Sequence, residues 1–80
     1  MNDPEIHQHI EELVAEEHRL LDQAEAHTLS AEGVARLKEV EVQLDRYFDL
    51  LRQRRAREEF GQNPESAKLR PAETVERYLQ

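Results

Sequence analysis

Apolar residues at Ile6, Ile10, Leu13, Leu20 and Ala24 advance in alternating steps of four and three, with Glu17 in the one vacant slot. That spacing places them on one face of a helix. Val14 and Leu21 widen the stripe beyond the seam of a two-stranded coiled coil. Asn2 or Asp3 is a suitable cap, Pro4 and Glu5 suit a first turn, and the helix is expected to run to about Ala26. The same alternation returns at Val34, Leu37, Val40, Leu44, Tyr47 or Phe48, and Leu51. Residues 34–59 contain neither Gly nor Pro, so a second helix continues as a charged extension to about Phe60, where Gly61 ends it. Between the helices stands His27-Thr28-Leu29-Ser30, with Ser30 as N-cap and Leu29 and Val34 at the positions of a hydrophobic staple.

So short a link demands antiparallel neighbours, with facing residue numbers that sum to about 57. This register sets Ile6 near Leu51, Leu13 near Leu44 and Leu20 near Leu37. It also sets Glu11 and Glu12 near Arg46, and Asp3 and Glu5 near Arg52 and Arg54. Hydrophobic and charge matching thus agree. Residues 1–61 form the expected hairpin, and 62–80 a C-terminal tail with short helical turns. In the tail Asn63-Pro64-Glu65 is a cap-plus-proline start, Pro71 limits any helix, and Val75, Tyr78 and Leu79 supply an apolar face. Such a tail docks on its own hairpin, docks on a neighbour, or stays mobile.

Charge sharpens the picture. The chain is acidic, with net charge −7, yet nine acids and Arg19 alone among the bases lie within residues 1–32. The only basic cluster is Arg52-Gln53-Arg54-Arg55-Ala56-Arg57. An acidic balance repels nucleic-acid phosphate and anionic lipid at long range. Eighty residues without cysteine make a thin core with no disulfide or thiolate metal staple, which leaves oligomerisation as support. The expected class is all-α: a long antiparallel hairpin with a short C-terminal helix or tail, forming a four-helix bundle as a homodimer. The opening residues lack a signal-peptide pattern and no apolar run is long enough for a span, so a cytoplasmic protein is expected.

Candidate chemistry is sparse. His7, His9, His18 and His27 sit among carboxylates, but no Glu-x-x-His step occurs, and His7 and His18 are about 16 Å apart along a helix. Solvated histidines on an acidic helix, without metal or cofactor, are the expectation. Glu17, in the apolar stripe, is the candidate buried polar residue, either as an acid or base or as a group that sets register. In architecture the hairpin dimer resembles the helical chorismate mutases, but their cationic first helix has no counterpart beyond Arg19. Arg52, Arg54, Arg55 and Arg57, with Tyr78 and Leu79, are the candidate partner-binding residues.

The stretches Leu13-Val14-Ala15-Glu16-Glu17-His18-Arg19-Leu20, Leu44 through Arg57, and Val75-Glu76-Arg77-Tyr78-Leu79-Gln80 resemble a family of small actinobacterial proteins known only as a domain of unknown function. The resemblance spans nearly the whole chain and implies an actinobacterial source. It implies no catalytic residue or ligand. The expected function is a non-enzymatic interaction or scaffold module that dimerises and presents its Arg-rich end to another protein. The alternatives are a weak nucleic-acid-binding or regulatory protein using the same arginines and, third, a metal or small-molecule enzyme at the dimer interface.

Overall fold

A computed structural model describes residues 1–78, without the side chain of Tyr78. Helix α1 spans Asp3–Glu25, α2 spans Ala31–Glu59, a 3-10 turn spans Pro64–Ser66, and α3 spans Ala72–Tyr78. The chain is helical, with no strand among the described residues.

Each end has a local cause. Asn2 caps α1 by accepting from the Glu5 amide at 2.9 Å, while the Glu5 carboxylate accepts from the Asn2 amide at 3.0 Å. This reciprocal pair is a capping box and it occupies Glu5. Ser30 caps α2 by accepting from the Gly33 amide. Both long helices close with the same pair of bonds. Thr28 N–H reaches the Gln23 carbonyl and His27 N–H that of Ala24; Gln62 N–H reaches Arg57 and Gly61 N–H reaches Glu58. These Schellman closures need a left-handed residue, supplied by Gly61 at φ 68° and by His27 at φ 60°. The staple expected between Leu29 and Val34 gives way to a different packing, in which Leu29 covers the space beside Gly33 and Val34 stays exposed.

The hairpin register is close to the one expected. Asp3 meets Arg54, the His9 ring stacks on Tyr47 at 5.1 Å, and Ile6 packs in one cluster with Leu50 and Ala67. Two expected charge contacts are replaced. Arg46 turns from Glu11 and Glu12 to the Arg70 carbonyl, 2.9 Å away, and to Gln43. Glu5 is held in the capping box and makes no ion pair with Arg52. The common reason is that Arg46 lies on the side of α2 taken by the tail, and that a helix N-terminus competes for the nearest carboxylate.

The tail docks on its own hairpin, running back along α2. Gln53 donates to the Lys68 carbonyl, Arg70 forks onto Asp49, and α3 packs farther along α2 with Val75 fully buried. Val40 and Asp49, nine residues and about 180° apart round the helix, are both buried. Helix α2 is therefore covered on opposite sides, by α1 and by the tail, and among the described residues α1 does not pack on α3. The result is a slab whose Cα extents are 49 × 26 × 14 Å. Its length is that of α2, at about 1.5 Å per residue, and its least dimension leaves room for one layer of helices rather than the usual two. Two broad faces remain. The four-helix bundle expected from a dimer would require a second copy of the chain on one of them.

Candidate interaction surface

Four arginines within six residues point round the whole circumference of α2. Arg54 points inward and is 5 % exposed. Its Nε donates to Asp3 at 2.6 Å, Nη1 to the carbonyls of Met1 and Pro64, and Nη2 to Glu65 at 3.1 Å. One guanidinium thus ties the N-terminus, α2 and the 3-10 turn together, and the terminal ammonium adds an ion pair with Glu65. The bond to Asp3 is the leading reason the Arg54 pKa is raised; the bond from Arg54 lowers that of Glu65. Arg54, expected among the candidate partner-binding residues, is held by the fold itself.

Asp49 is the second buried charge, 1 % exposed. It accepts two bonds from Arg70, at 2.7 and 2.9 Å, and one from Gln53 at 2.9 Å. Sequence reasoning passed over it, because an acid among Arg and Gln on a charged extension reads as solvated. The available signal was its spacing: Asp49 stands about 140–180° round the helix from the Val40–Leu44–Leu51 seam, and Arg70 follows the cap-and-proline start of the tail. Glu17, expected as the buried polar residue, is only half-buried. It lines a shallow groove of ≈ 350 Å³ with Val14, Glu41, Leu44, Asp45 and Phe48. At the helix edge its carboxylate stays within reach of water.

The other face carries a groove walled by His9, Glu12, Glu16, Arg36, Gln43 and Tyr47. There Arg36 forks onto Glu16, with Nη2 to Oε1 at 2.7 Å, and reaches Glu39 at 3.2 Å. These bonds lower the Glu16 pKa and raise that of Arg36. Glu16, Arg36 and Glu39 on this face therefore satisfy one another. Gln43 and Phe48, five residues and about 140° apart, mark the two faces.

The Glu17 face differs. Phe48 is 43 % exposed, and Leu21 45 %. Arg52 and Arg55 are exposed and make no ion pair among the described residues, while Arg57 is half-buried beside Phe60 and Gln62. Of the remaining candidates, the Tyr78 side chain and Leu79 lie outside the described residues. His7 and His18 are exposed, and among the described residues no three His, Asp or Glu side chains stand together as a metal site. Among the described residues no helix is long and apolar enough to cross a membrane.

Fold and surface together define a class: a helical hairpin strapped by its own tail, with one broad face satisfied and the other bearing unpaired arginines beside exposed apolar side chains. The chain belongs to the family described as "Protein of unknown function (DUF2630)", which matches residues 2–80. It is 44 % identical over 77 residues to the uncharacterized protein Rv0898c of Mycobacterium tuberculosis, covering 95 % of this chain and 88 % of that one. The uncharacterized protein Mb0922c of Mycobacterium bovis is similar to the same degree, 44 % over 77 residues. No solved structure matches.

Proposed function

We propose that the protein is a non-enzymatic interaction module that self-associates and uses its arginine-bearing face to hold a protein partner. The observation that carries this reading is the exposed pair Arg52 and Arg55 beside Phe48, on a face that no other part of the described chain covers. Apolar side chains at the centre of a patch with charges at its rim are the common composition of a binding surface. A one-layer slab also leaves more surface in water than a compact chain: 5763 Å² against about 5000 Å² expected for this mass. Retention of Arg54 inside the fold reduces the charge available for phosphate, which favours a protein over nucleic acid as the partner. A cytoplasmic setting accords with these features.

The test is affinity capture with the wild-type chain and with Arg52→Glu/Arg55→Glu as bait, before and after nuclease. A nuclease-resistant protein retained by the wild type and lost by the variant is the expected result. Recovery of nucleic acid that disappears with nuclease would overturn the reading in favour of nucleic-acid binding, and identical recovery by both baits would remove the arginines from it.

A further inference from the structure

On the open face of α2, Lys38, Glu41, Asp45, Phe48, Arg52, Arg55 and Glu59 recur in steps of three and four. They form a second helical stripe, turned away from the Val40–Leu44–Leu51 seam that faces α1. All but Asp45 are exposed; Asp45 is half-buried against Glu76 of α3, and Lys38 lies near the same carboxylate, so α3 borders the stripe at that end. The order of charge is what distinguishes this stripe: base, two acids, an aromatic ring, two bases, an acid. Counted from Phe48, Glu41 and Arg55 lie seven residues before and after, Asp45 three before and Arg52 four after, Lys38 ten before and Glu59 eleven after. The pattern reverses sign about its centre.

We infer that this stripe is the site of self-association, in which α2 pairs antiparallel with α2 of a second copy about a two-fold axis at Phe48. Glu41 then faces Arg55 of the other copy, Arg52 approaches Asp45 together with the Glu76 of α3 that lies against it, and Lys38, beside the same Glu76, comes opposite Glu59 at the edge of the contact. A parallel pairing would set Glu41 on Glu41 and Arg55 on Arg55. A two-fold interface must be self-complementary, and only the antiparallel arrangement makes it so. At about 1.5 Å per residue the Glu41–Arg55 contacts fall roughly 10 Å either side of the axis, where the two helices still run together. Phe48 meets its symmetry mate at the centre, and the groove beside it, lined by Val14, Glu17 and Leu44, receives what that ring does not cover. Glu17 thereby becomes a further acid close to the incoming Arg52. Affinity comes from the apolar centre, and the charges select the register. The acidic groove on the opposite face has no such pattern, since its arginine is already paired with Glu16 and Glu39.

This inference rests on the self-association in the functional reading, adds its geometry, and makes a second copy compete with any other protein partner for Arg52 and Arg55. The test is a charge exchange in the full chain. Glu41→Arg and Arg55→Glu are prepared separately, and dissociation constants are measured by sedimentation. Each single variant meets like charge twice in its own dimer and should weaken it by about 2- to 30-fold, on the scale of two exposed pairs. An equimolar mixture should recover wild-type affinity as a heterodimer. There the arginine introduced in one chain faces the glutamate introduced in the other, and the unaltered Arg55 of the first faces the unaltered Glu41 of the second. Neither variant changes a residue that ties the tail to α2, and circular dichroism melting verifies the fold. A wild-type dimer unaffected by either change overturns this register and leaves self-association standing. A wild type that stays monomeric up to roughly 500 µM overturns both, since so weak a contact lies far below a specific dimer.

Discussion

Replacing Arg54 by Met removes a side chain that joins the N-terminus and the 3-10 turn to α2. Four acceptors lose their donor: the Asp3 and Glu65 carboxylates and the carbonyls of Met1 and Pro64. If all were sealed from water the loss would approach that of a broken buried ion pair, about 3–5 kcal/mol. The carboxylates are half exposed and recover hydration, so their share falls toward that of surface pairs. Met also keeps most of the apolar stem, which limits the cavity. The net effect is a destabilisation of about 2–3 kcal/mol, dominated by charge-assisted bonds to the two carbonyls and to Asp3. For a domain of this size that corresponds to a fall in melting temperature of roughly 8–24 °C. Arg54→Lys should recover only part of the loss, because an ammonium cannot span acceptors arranged for a planar fork. Thermal melting by circular dichroism gives the magnitude, and hydrogen exchange should show faster opening at residues 63–67 than at the middle of α2. A variant melting within about 2 °C of wild type would show that Arg54 holds neither the N-terminus nor the 3-10 turn.

Asp49→Ala should cost about 2–4 kcal/mol, because Arg70 and Gln53 lose a buried acceptor; the expected sign in denaturant melts is a lower midpoint with the tail exchanging first. His27→Gly should raise stability by about 0.5 kcal/mol, since the left-handed conformation at φ 60° is easier without a Cβ; an unchanged or lower melt would refute the strain. Two carboxylates should respond to pH in opposite directions. Glu16 has a lowered pKa through its bonds from Arg36, so its contribution is complete above the ordinary carboxylate range and is lost as pH falls through the lowered value. Glu76 has a raised pKa through burial and then Asp45, with Lys38 opposing, so α3 docking is firmest in acid and loosens as pH rises through the raised value. Amide chemical shifts followed from pH 3 to 8 (about the range over which carboxylates titrate) should show the α1–α2 contact and α3 moving in opposite senses.

The hairpin was legible because its signals are local. Ser30, Gly61 and the two apolar stripes act within a few residues of themselves, and the observed bounds of α1 and α2 follow them closely. Asp3 found Arg54 because charge and apolar register coincided. What was not legible depends on where the tail runs. Until Arg70 is known to pass beside residue 49, nothing separates Asp49 from a solvated acid, and nothing shows that the tail adds the Pro64 carbonyl and Glu65 to the Asp3 partner that register gave Arg54. Arg46 shows the same limit, since two carboxylates in the right register lost to a backbone carbonyl from a segment 24 residues away. Glu17 marks the converse: its slot in the stripe suggested burial, but a one-layer slab leaves the edge of that stripe open.

Self-association through the open face is tested most directly by amide NMR spectra recorded across a concentration series of the unaltered chain. The expected result is a set of concentration-dependent shifts at Val14, Glu17, Leu21, Glu41, Phe48, Arg52 and Arg55, with His9, Gln43 and Tyr47 on the opposite face unchanged. Shifts confined to the His9–Tyr47 face, or spectra independent of concentration at a monomer's tumbling rate, would contradict it.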